Sequence, residues 1–181
     1  NPVVSDANKT SNIKEQDPSI VAPGYLFSIH STFDKAVNGQ FRVDIDGQLQ
    51  LPYNVKIKTN GKTIEQVQKM IIADFQAFFK SSNAVSVELA ERKYLVETEG
   101  LVLKSGKYLI DQKTSLDEII TQSGGLLPVN QPNYLKIKYP DHKSRIIDLK
   151  NYFQVGSAKK ISGWQGGEVL FFQKELNDGE V

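Results

Sequence analysis

The sequence predicts an α+β fold in which two small modules follow each other, and two patterns carry this prediction. Short segments that alternate apolar and polar residues occur in both halves of the chain and are typical of half-buried strands. Each half also contains one segment with apolar residues three or four positions apart, which predicts an amphipathic helix. Because each half has strands on both sides of its helix, we expect two modules with separate cores.

The first module is expected to begin near Pro18 with a strand. Residues 1–17 are polar and lack periodicity, so we interpret them as a flexible tether. The segment YLFSIHSTF, residues 25–33, alternates loosely between apolar and polar side chains and predicts the first strand.

The next segment, FRVDIDGQLQLP (residues 41–52), predicts a hairpin that buries one face. Its apolar residues occupy odd positions on both sides of the turn signal Asp46-Gly47: Phe41, Val43, Ile45, Leu49 and Leu51. A two-residue turn would make the two arms bury opposite sets of residues. A three-residue turn over residues 46–48 keeps one apolar face, with Ile45 opposite Leu49 and a positive φ at Gly47.

A helix is predicted after the hairpin. Thr63 and Gln66 stand three positions apart, which is the spacing of a capping box at a helix N-terminus. The residues of the apolar stripe are Ile64, Val67, Ile71, Phe75 and Phe78. The run Ser81-Ser82-Asn83 should end the helix, and AVSVELA, residues 84–90, predicts the strand that completes the module.

The second module repeats this order on a shorter scale. Residues 93–110 predict two strands with a turn at Ser105-Gly106. A short helix should follow, with a capping box between Ser115 and Glu118 and an end at Gly124. Its apolar stripe is Leu116, Ile119 and Ile120. Further strands are predicted at YLKIKY and RIIDL, which form a hairpin turning at Pro140-Asp141, and at GGEVLFFQK.

The composition limits the functions that the chain can have. Its 181 residues include nine Phe and seven Tyr, which can fill hydrophobic cores. Lys and Arg total 22 against 21 for Asp and Glu, so the basic excess typical of nucleic-acid-binding domains is missing. The absence of Cys excludes disulfides, thiolate metal sites and Cys nucleophiles. No apolar stretch approaches the roughly 20 residues of a membrane-spanning helix.

Residues that could carry catalysis are scarce, and we expect neither an enzyme nor a cofactor or metal. His30 and His142 fall in different modules, and no third partner for a triad or metal site can be named. No nucleophile elbow, phosphate-binding loop or zinc-helix motif occurs. Asp44 and Asp46 lie at a hairpin tip, where solvated carboxylates are the simplest interpretation. A glycan hydrolase would need a carboxylate pair in a groove, which nothing in the sequence indicates.

Four basic residues form a mild cluster on the predicted second hairpin: Lys136, Lys138, Lys143 and Arg145. One interpretation is an edge strand that lysines protect from aggregation. The other is a contact surface for an anionic polymer or an acidic partner.

Seven segments, in this order, resemble the outer-membrane polysaccharide export proteins. They are APGYLFSI, VDIDGQLQLP, GKTIEQVQKMI, AVSVEL, EGLVLKSGKYLI, TSLDEIITQSGGL and GGEVLFF, and they cover about residues 18–174. The residues that match the family are Pro23, Gly24, Asp46, Gly47, Leu49, Leu51, Pro52, Gly61, Thr63, Glu65, Gly100, Gly106, Tyr108, Leu116, Asp117, Ile119, Gly124 and Gly125. The chain departs from the family at Tyr25 and Glu168, where Asp is usual, at Ser105 (often Pro) and at Ser123 (often Ala).

The resemblance implies a polysaccharide export domain over residues 18–92 and a soluble-ligand-binding β-grasp (SLBB) domain over residues 93–175. Residues 176–181 would be a C-terminal tail. It further implies a ring-forming, non-catalytic subunit of a capsular or exopolysaccharide export conduit. Such a subunit would lie at the periplasmic face of the outer membrane, held by a lipid anchor upstream of Asn1. Its expected partners are identical copies, an inner-membrane polysaccharide co-polymerase and the exported polysaccharide. The alternative is a monomeric periplasmic module whose β-grasp domain binds a glycan or small ligand.

Tyr53 is the residue that the resemblance suggests for the conduit. It follows Pro52 at the exit of the first hairpin, where an aromatic side chain would face the periplasmic mouth of the ring. Its odd position also continues the apolar face of the hairpin, so a role as one more core residue is the alternative.

Overall fold

The structure is a computed structural model that describes residues 16–154 and 160–179. The predicted tether therefore lies outside the described residues, apart from its last two positions. The strands are β1 (Leu26–His30), β2 (Gly39–Arg42), β3 (Gln48–Gln50), β4 (Lys56–Lys58), β5 (Ser86–Glu91), β6 (Tyr94–Gly100), β7 (Gly106–Ile110), β8 (Tyr134–Lys138), β9 (Ser144–Asp148) and β10 (Val169–Gln173). The helices are α1 (Ile64–Phe79), α2 (Leu116–Gln122) and α3 (Leu149–Gln154), with single 3-10 turns at Lys35–Val37 and Pro52–Asn54. The α+β fold class is confirmed.

The first half contains a three-stranded antiparallel sheet in the order β2-β1-β5 and a separate pair of strands, β3 and β4. Helix α1 begins at the predicted capping box, because the Thr63 hydroxyl accepts from the Gln66 amide and the Gln66 side chain accepts from the Thr63 amide. Val67, Ile71 and Phe75 of the predicted stripe are fully buried. The prediction was wrong for Phe78, which is 51% exposed.

The turn of the first hairpin lies one residue earlier than predicted. The Asp44 amide donates to the Gln48 carbonyl at 2.8 Å, so the three turn residues are 45–47 rather than 46–48. The reason is the Asp44 side chain, whose Oδ1 accepts from the amides of Asp46 and Gln48 and fixes the turn at this position. The positive φ of Gly47 is confirmed, at 79°. The two arms also pair with different neighbours, β2 with β1 and β3 with β4.

Burial along this segment follows the predicted parity at three positions. Val43 and Leu49 are fully buried and Leu51 is 6% exposed. Phe41 and Ile45 are half-buried. The one-faced pattern therefore holds along the second arm, whereas in the first arm it holds at Val43 and weakens on either side.

The second half forms one five-stranded sheet in the order β7-β6-β10-β8-β9. The hairpins β6–β7 and β8–β9 are those predicted, and β10 lies between them, parallel to β6 and antiparallel to β8. Helix α2 has the predicted capping box between Ser115 and Glu118 and the predicted buried stripe. Helix α3 was not predicted.

The two sheets meet at a tightly packed junction. Within residues 16–154 and 160–179 no ladder of strand pairs joins them, although only two residues separate β5 from β6. Hydrogen bonds cross the junction: the Leu95 amide donates to the Pro23 carbonyl at 2.9 Å, and the Tyr25 and Tyr94 hydroxyls lie 3.2 Å apart. Buried side chains from both halves belong to one hydrophobic cluster. The two cores are therefore in contact, where we expected separate ones, and the domain boundaries stay a prediction.

Candidate functional site

Tyr53 lies in the 3-10 turn Pro52–Asn54, between β3 and β4, and its side chain is 47% exposed. Tyr53 is therefore not a core residue, which was the alternative suggested by its odd position in the alternating pattern of the hairpin. The backbone φ angles of Tyr53 and Asn54 are 61° and 59°, both in the left-handed region. Non-glycine residues in this conformation are uncommon, and when they are maintained by their surroundings they often mark functional positions.

Four rings form a surface group, called the aromatic cluster below: Phe33, Tyr53, Phe78 and Phe79. The Tyr53 ring stacks on Phe78 with centroids 4.8 Å apart, and it meets Phe79 edge-on at 6.4 Å. Phe33 stacks on Phe79 at 6.5 Å and is 58% exposed. The cluster thus joins a loop, a turn and the last two residues of α1 at one place on the surface.

The aromatic cluster is attached to the core on one side and to a carboxylate on the other. Phe79 stacks on the buried Phe75 at 6.0 Å, which fixes the base of the cluster. The Tyr53 hydroxyl donates to a carboxylate oxygen of Asp34, whose other oxygen accepts from the Ala36 amide. The hydrogen bond from Tyr53 holds the pKa of Asp34 below its usual range, and the same bond raises the pKa of Tyr53.

The arrangement presents flat apolar ring faces beside a hydroxyl and a carboxylate. Aromatic rings with a polar end suit ligands that are apolar on one side and hydrated on the other. Because Tyr53 has one hydrogen bond and two ring contacts, little rotational freedom is left for it to lose on binding. Sequence reasoning named Tyr53 but missed Phe33, and it assigned Phe78 to the core.

The structure does not bring the four basic residues together. Lys136 and Lys138 lie on one face of β8, opposite the buried Leu135 and Ile137. Arg145 pairs with Ile137, and directly paired residues point to the same side of a sheet, so Arg145 belongs to the other face.

The remaining member, Lys143, lies in the turn before β9 and forms an ion pair with Asp141 at 3.4 Å. Of the four residues, only Arg145 is on the edge strand β9. The interpretation as an edge guarded by lysines therefore does not apply to Lys136 and Lys138, which lie on the interior strand β8.

The sequence analysis also missed a buried carboxyl group at the junction of the two sheets. Glu168 is fully buried, and both its carboxyl oxygens accept from the Gln165 amide, at 2.9 and 3.2 Å. Burial raises the pKa of Glu168 to about 8, although the backbone amides that donate to it oppose the rise. The run Gly166-Gly167-Glu168 was the available signal, because two glycines beside an acid indicate backbone amides brought close to a carboxylate.

The histidines stay apart, with His30 in β1 and His142 in the turn between β8 and β9. In the part of the chain that the structure describes, no three His, Asp or Glu side chains are grouped closely enough to hold a metal ion. None of the helices there combines the length and hydropathy needed to cross a membrane.

Comparison with known proteins supports the resemblance found in the sequence. The chain is similar to the EPS I polysaccharide export outer membrane protein EpsA of Ralstonia nicotianae, with 31% identity over 116 residues. The match covers 60% of this chain and 30% of the relative, so the chain corresponds to less than a third of that protein. No family model matches the chain. The expected similarity to polysaccharide export proteins is confirmed by this relative.

Proposed function

We propose, on the premise of this similarity to an outer-membrane polysaccharide export protein, that the chain is a subunit of a conduit that exports a capsular polysaccharide or exopolysaccharide. Identical copies form a ring at the periplasmic face of the outer membrane and guide the polymer through it. The observation that carries the proposal is the 31% identity over 116 residues to an EPS I polysaccharide export outer membrane protein. The chain acts in transport and not as an enzyme.

The aromatic cluster supports a contact with the passing polymer. In this proposal Tyr53 lines the conduit, and its ring stacks on the apolar faces of sugar units while the hydroxyl and Asp34 exchange hydrogen bonds with sugar hydroxyls. Each such contact is weak, so a polymer can slide past it. The 47% exposure of Tyr53 and its stacking on Phe78 at 4.8 Å are the features that make this assignment possible.

Assembly follows from the same proposal. A small export subunit cannot enclose a conduit alone, so copies must meet through heterologous interfaces that close a ring. A lipid anchor upstream of Asn1 and an inner-membrane co-polymerase raise the local concentration, so each interface can be weak in isolation. Lys136 and Lys138, which share one face of β8, are proposed to contact an anionic polymer or partner.

The test is complementation in cells that lack the protein, with surface polysaccharide measured by quantitative staining and gel analysis. Tyr53→Ala should lower export or shift polymer length while protein level and melting temperature stay near those of the wild type. Tyr53→Phe keeps the ring and should retain most of the export.

Leu103→Ala is the matched control, because Leu103 is 59% exposed and lies outside the aromatic cluster. Normal export by Tyr53→Ala would contradict the conduit-lining role. Cross-linking in cells that yields only monomers while export continues would contradict the ring and favour the monomeric binding module.

A further inference from the structure

A cleft lies in the second half of the chain, on the side where α3 follows β9. It has a volume of about 390 Å³, which falls within the range of small-ligand sites in proteins. Its lining comes from α3 and from the segment between α2 and β8: Leu126, Gln131, Pro132, Asn133, Leu149, Lys150, Phe153 and Gln154. None of these residues belongs to the aromatic cluster, to the four basic residues or to the surroundings of Glu168.

The floor of the cleft is apolar and one wall is aromatic. Leu149 is 1% exposed and Pro132 is buried, so both present carbon surface at the bottom. Phe153 is 47% exposed, and its ring is supported by an edge-on contact with Tyr152 at 5.4 Å. An exposed phenylalanine that is held by a second ring beside an apolar floor provides a surface on which the carbon face of a sugar ring can stack.

The backbone of the cleft is fixed by hydrogen bonds that connect three elements. The Leu149 amide donates to the Asn133 carbonyl at 2.9 Å, and the Asn133 amide donates to the Gln173 carbonyl at 3.0 Å. The Asn133 side-chain amide donates to the Lys174 carbonyl at 2.9 Å. These bonds tie α3 and the preceding loop to the central strand β10, so the cleft is formed before any ligand enters it.

The rim carries neutral amides and one cation. Gln131 and Gln154 offer carboxamides with donors and an acceptor, which match the paired donor and acceptor character of sugar hydroxyls. Asn133, whose side-chain nitrogen donates to the Lys174 carbonyl, adds its side-chain oxygen as an acceptor. Lys150 is exposed at the same rim. The eight lining residues include no Asp or Glu, so a carboxylate on the ligand would meet Lys150 and no opposing negative charge.

We infer that this cleft binds a single pyranose unit, with a uronate preferred over a neutral sugar. The aromatic wall accepts the carbon face of the ring, the amides bind its hydroxyls, and Lys150 pairs with the carboxylate. That this unit belongs to the exported polysaccharide rests on the proposed function, whereas binding of the sugar itself does not. The cleft would then hold the polymer at a second place on each subunit, in the other half from Tyr53.

The experiment uses the full chain and three methyl pyranosides of one stereochemistry: the glucuronide, the glucoside and the cationic glucosaminide. Saturation-transfer NMR detects which probes bind, and chemical-shift titration gives their affinities. We expect the order glucuronide, then glucoside, then glucosaminide, with millimolar dissociation constants. The preference for the glucuronide should shrink as salt is added, because the pair with Lys150 is exposed at the rim.

Two variants and a control assign the binding to the cleft. Phe153→Ala should weaken all probes roughly five- to tenfold, since a stacking contact is lost. Lys150→Gln should leave the glucoside unchanged and remove the preference for the glucuronide. Leu109→Ala is the control, because Leu109 is a 41% exposed apolar residue on β7 that belongs neither to the cleft lining nor to the aromatic cluster, and its loss should not alter binding of any probe.

Three outcomes would overturn the inference. They are the absence of saturation transfer to any probe, binding that Phe153→Ala does not weaken, and a preference for the glucosaminide. If only the export role is wrong, the results differ. Phe153→Ala still loses sugar binding in solution, but cells that lack the protein export polysaccharide normally. Sugar binding and export are measured separately, so each claim can fail alone.

Discussion

The sheet junction and the aromatic cluster use the same kind of contact in opposite surroundings. At the junction, Tyr25 and Tyr94 meet edge-on at 5.7 Å, their hydroxyls are 3.2 Å apart, and the two residues are 0% and 4% exposed. In the cluster, Tyr53 stacks on Phe78 at 4.8 Å, and the two are 47% and 51% exposed. The junction removes its rings from water and gains stability, whereas the cluster keeps its rings available to a ligand.

The largest effect on stability is expected from the substitution of a glycine at the junction. Gly24 has a φ of 105°, and a Cβ built there would stand 2.6 Å from the Leu95 amide nitrogen and from the Lys93 carbonyl oxygen. Since those atoms belong to the backbone, Gly24→Ala must displace β6 as well as strain its own φ. We expect a loss of more than about 3 kcal/mol in the free energy of unfolding, measured by urea denaturation.

A matched glycine makes the first prediction specific. Gly61 also has a positive φ, 71°, but a Cβ there would meet nothing within 4 Å. Gly61→Ala should therefore cost only the conformational strain, about 1 kcal/mol. Equal losses for the two variants would contradict the role given to the junction.

The second test compares two phenylalanines three positions apart on α1. Phe75 is fully buried and Phe78 is half exposed. Phe75→Ala should lower the free energy of unfolding by about 3–5 kcal/mol, which is typical of a large core side chain. Phe78→Ala should lower it by less than about 1.5 kcal/mol, because a ring contact is lost without forming a cavity. Thermal melts followed by circular dichroism would measure both.

The third test measures how the stability of the protein depends on pH through Glu168, which is buried at the junction. Burial raises the pKa of Glu168 from 4.5 to about 8, so the folded protein holds this proton more tightly than the unfolded chain. The contribution of protonated Glu168 to the free energy of unfolding is fully present below pH 4.5 and is lost as the pH rises to about 8. We expect this loss to be on the order of a few kcal/mol.

The control for this pH effect is Glu168→Gln, which keeps an acceptor for the Gln165 amide but cannot ionise. Its urea midpoint should change less between pH 5 and pH 8 than that of the wild type, and it should exceed the wild-type midpoint at the upper end. A variant that follows the wild-type pH profile would show that another group is responsible.

The smallest effect on stability is expected at Tyr53. Tyr53→Ala removes an exposed ring and a hydrogen bond at the surface, so the free energy of unfolding should fall by less than about 1 kcal/mol. Tyr53→Gly should be at least as stable as Tyr53→Ala, because glycine tolerates the φ of 61° without strain. Unfolding of either variant would place Tyr53 in the core and remove its proposed role. Differential scanning fluorimetry would be sufficient to measure these small shifts.

Local chemistry explains which parts of the fold were predictable. The capping boxes at Thr63 and Ser115 depend only on residues three positions apart, so the sequence determines them directly. The position of the hairpin turn does not, because it is set by the Asp44 side chain. A three-residue turn over 45–47 and one over 46–48 both pair residues of equal parity, so the alternation of apolar residues cannot distinguish them. The exposure of Phe78 was also hidden, since its spacing fits the apolar stripe, and its partners on the surface, Tyr53 and Phe79, are fixed by tertiary contacts.

The candidate sites show the same limit. The family resemblance drew attention to Tyr53, but Phe33 joins the aromatic cluster through its tertiary contact with Phe79, which has no sequence pattern of its own. The four basic residues are close in sequence, yet strand alternation places Arg145 on the opposite face from Lys136. Proximity along a hairpin predicts proximity in space only for residues of matching parity.

The central position of β10 has a consequence for how the molecule is made. This strand comes at residues 169–173 and fills the gap between β6 and β8, which come from two separate hairpins. During synthesis the second sheet cannot close until residue 173 has emerged, whereas the strands of the first sheet are complete by residue 91. Strand pairs that are so distant in sequence form slowly. The first half should therefore fold while the second half still consists of two separate hairpins with unpaired strand edges. Those edges are the places where a chaperone would be needed most.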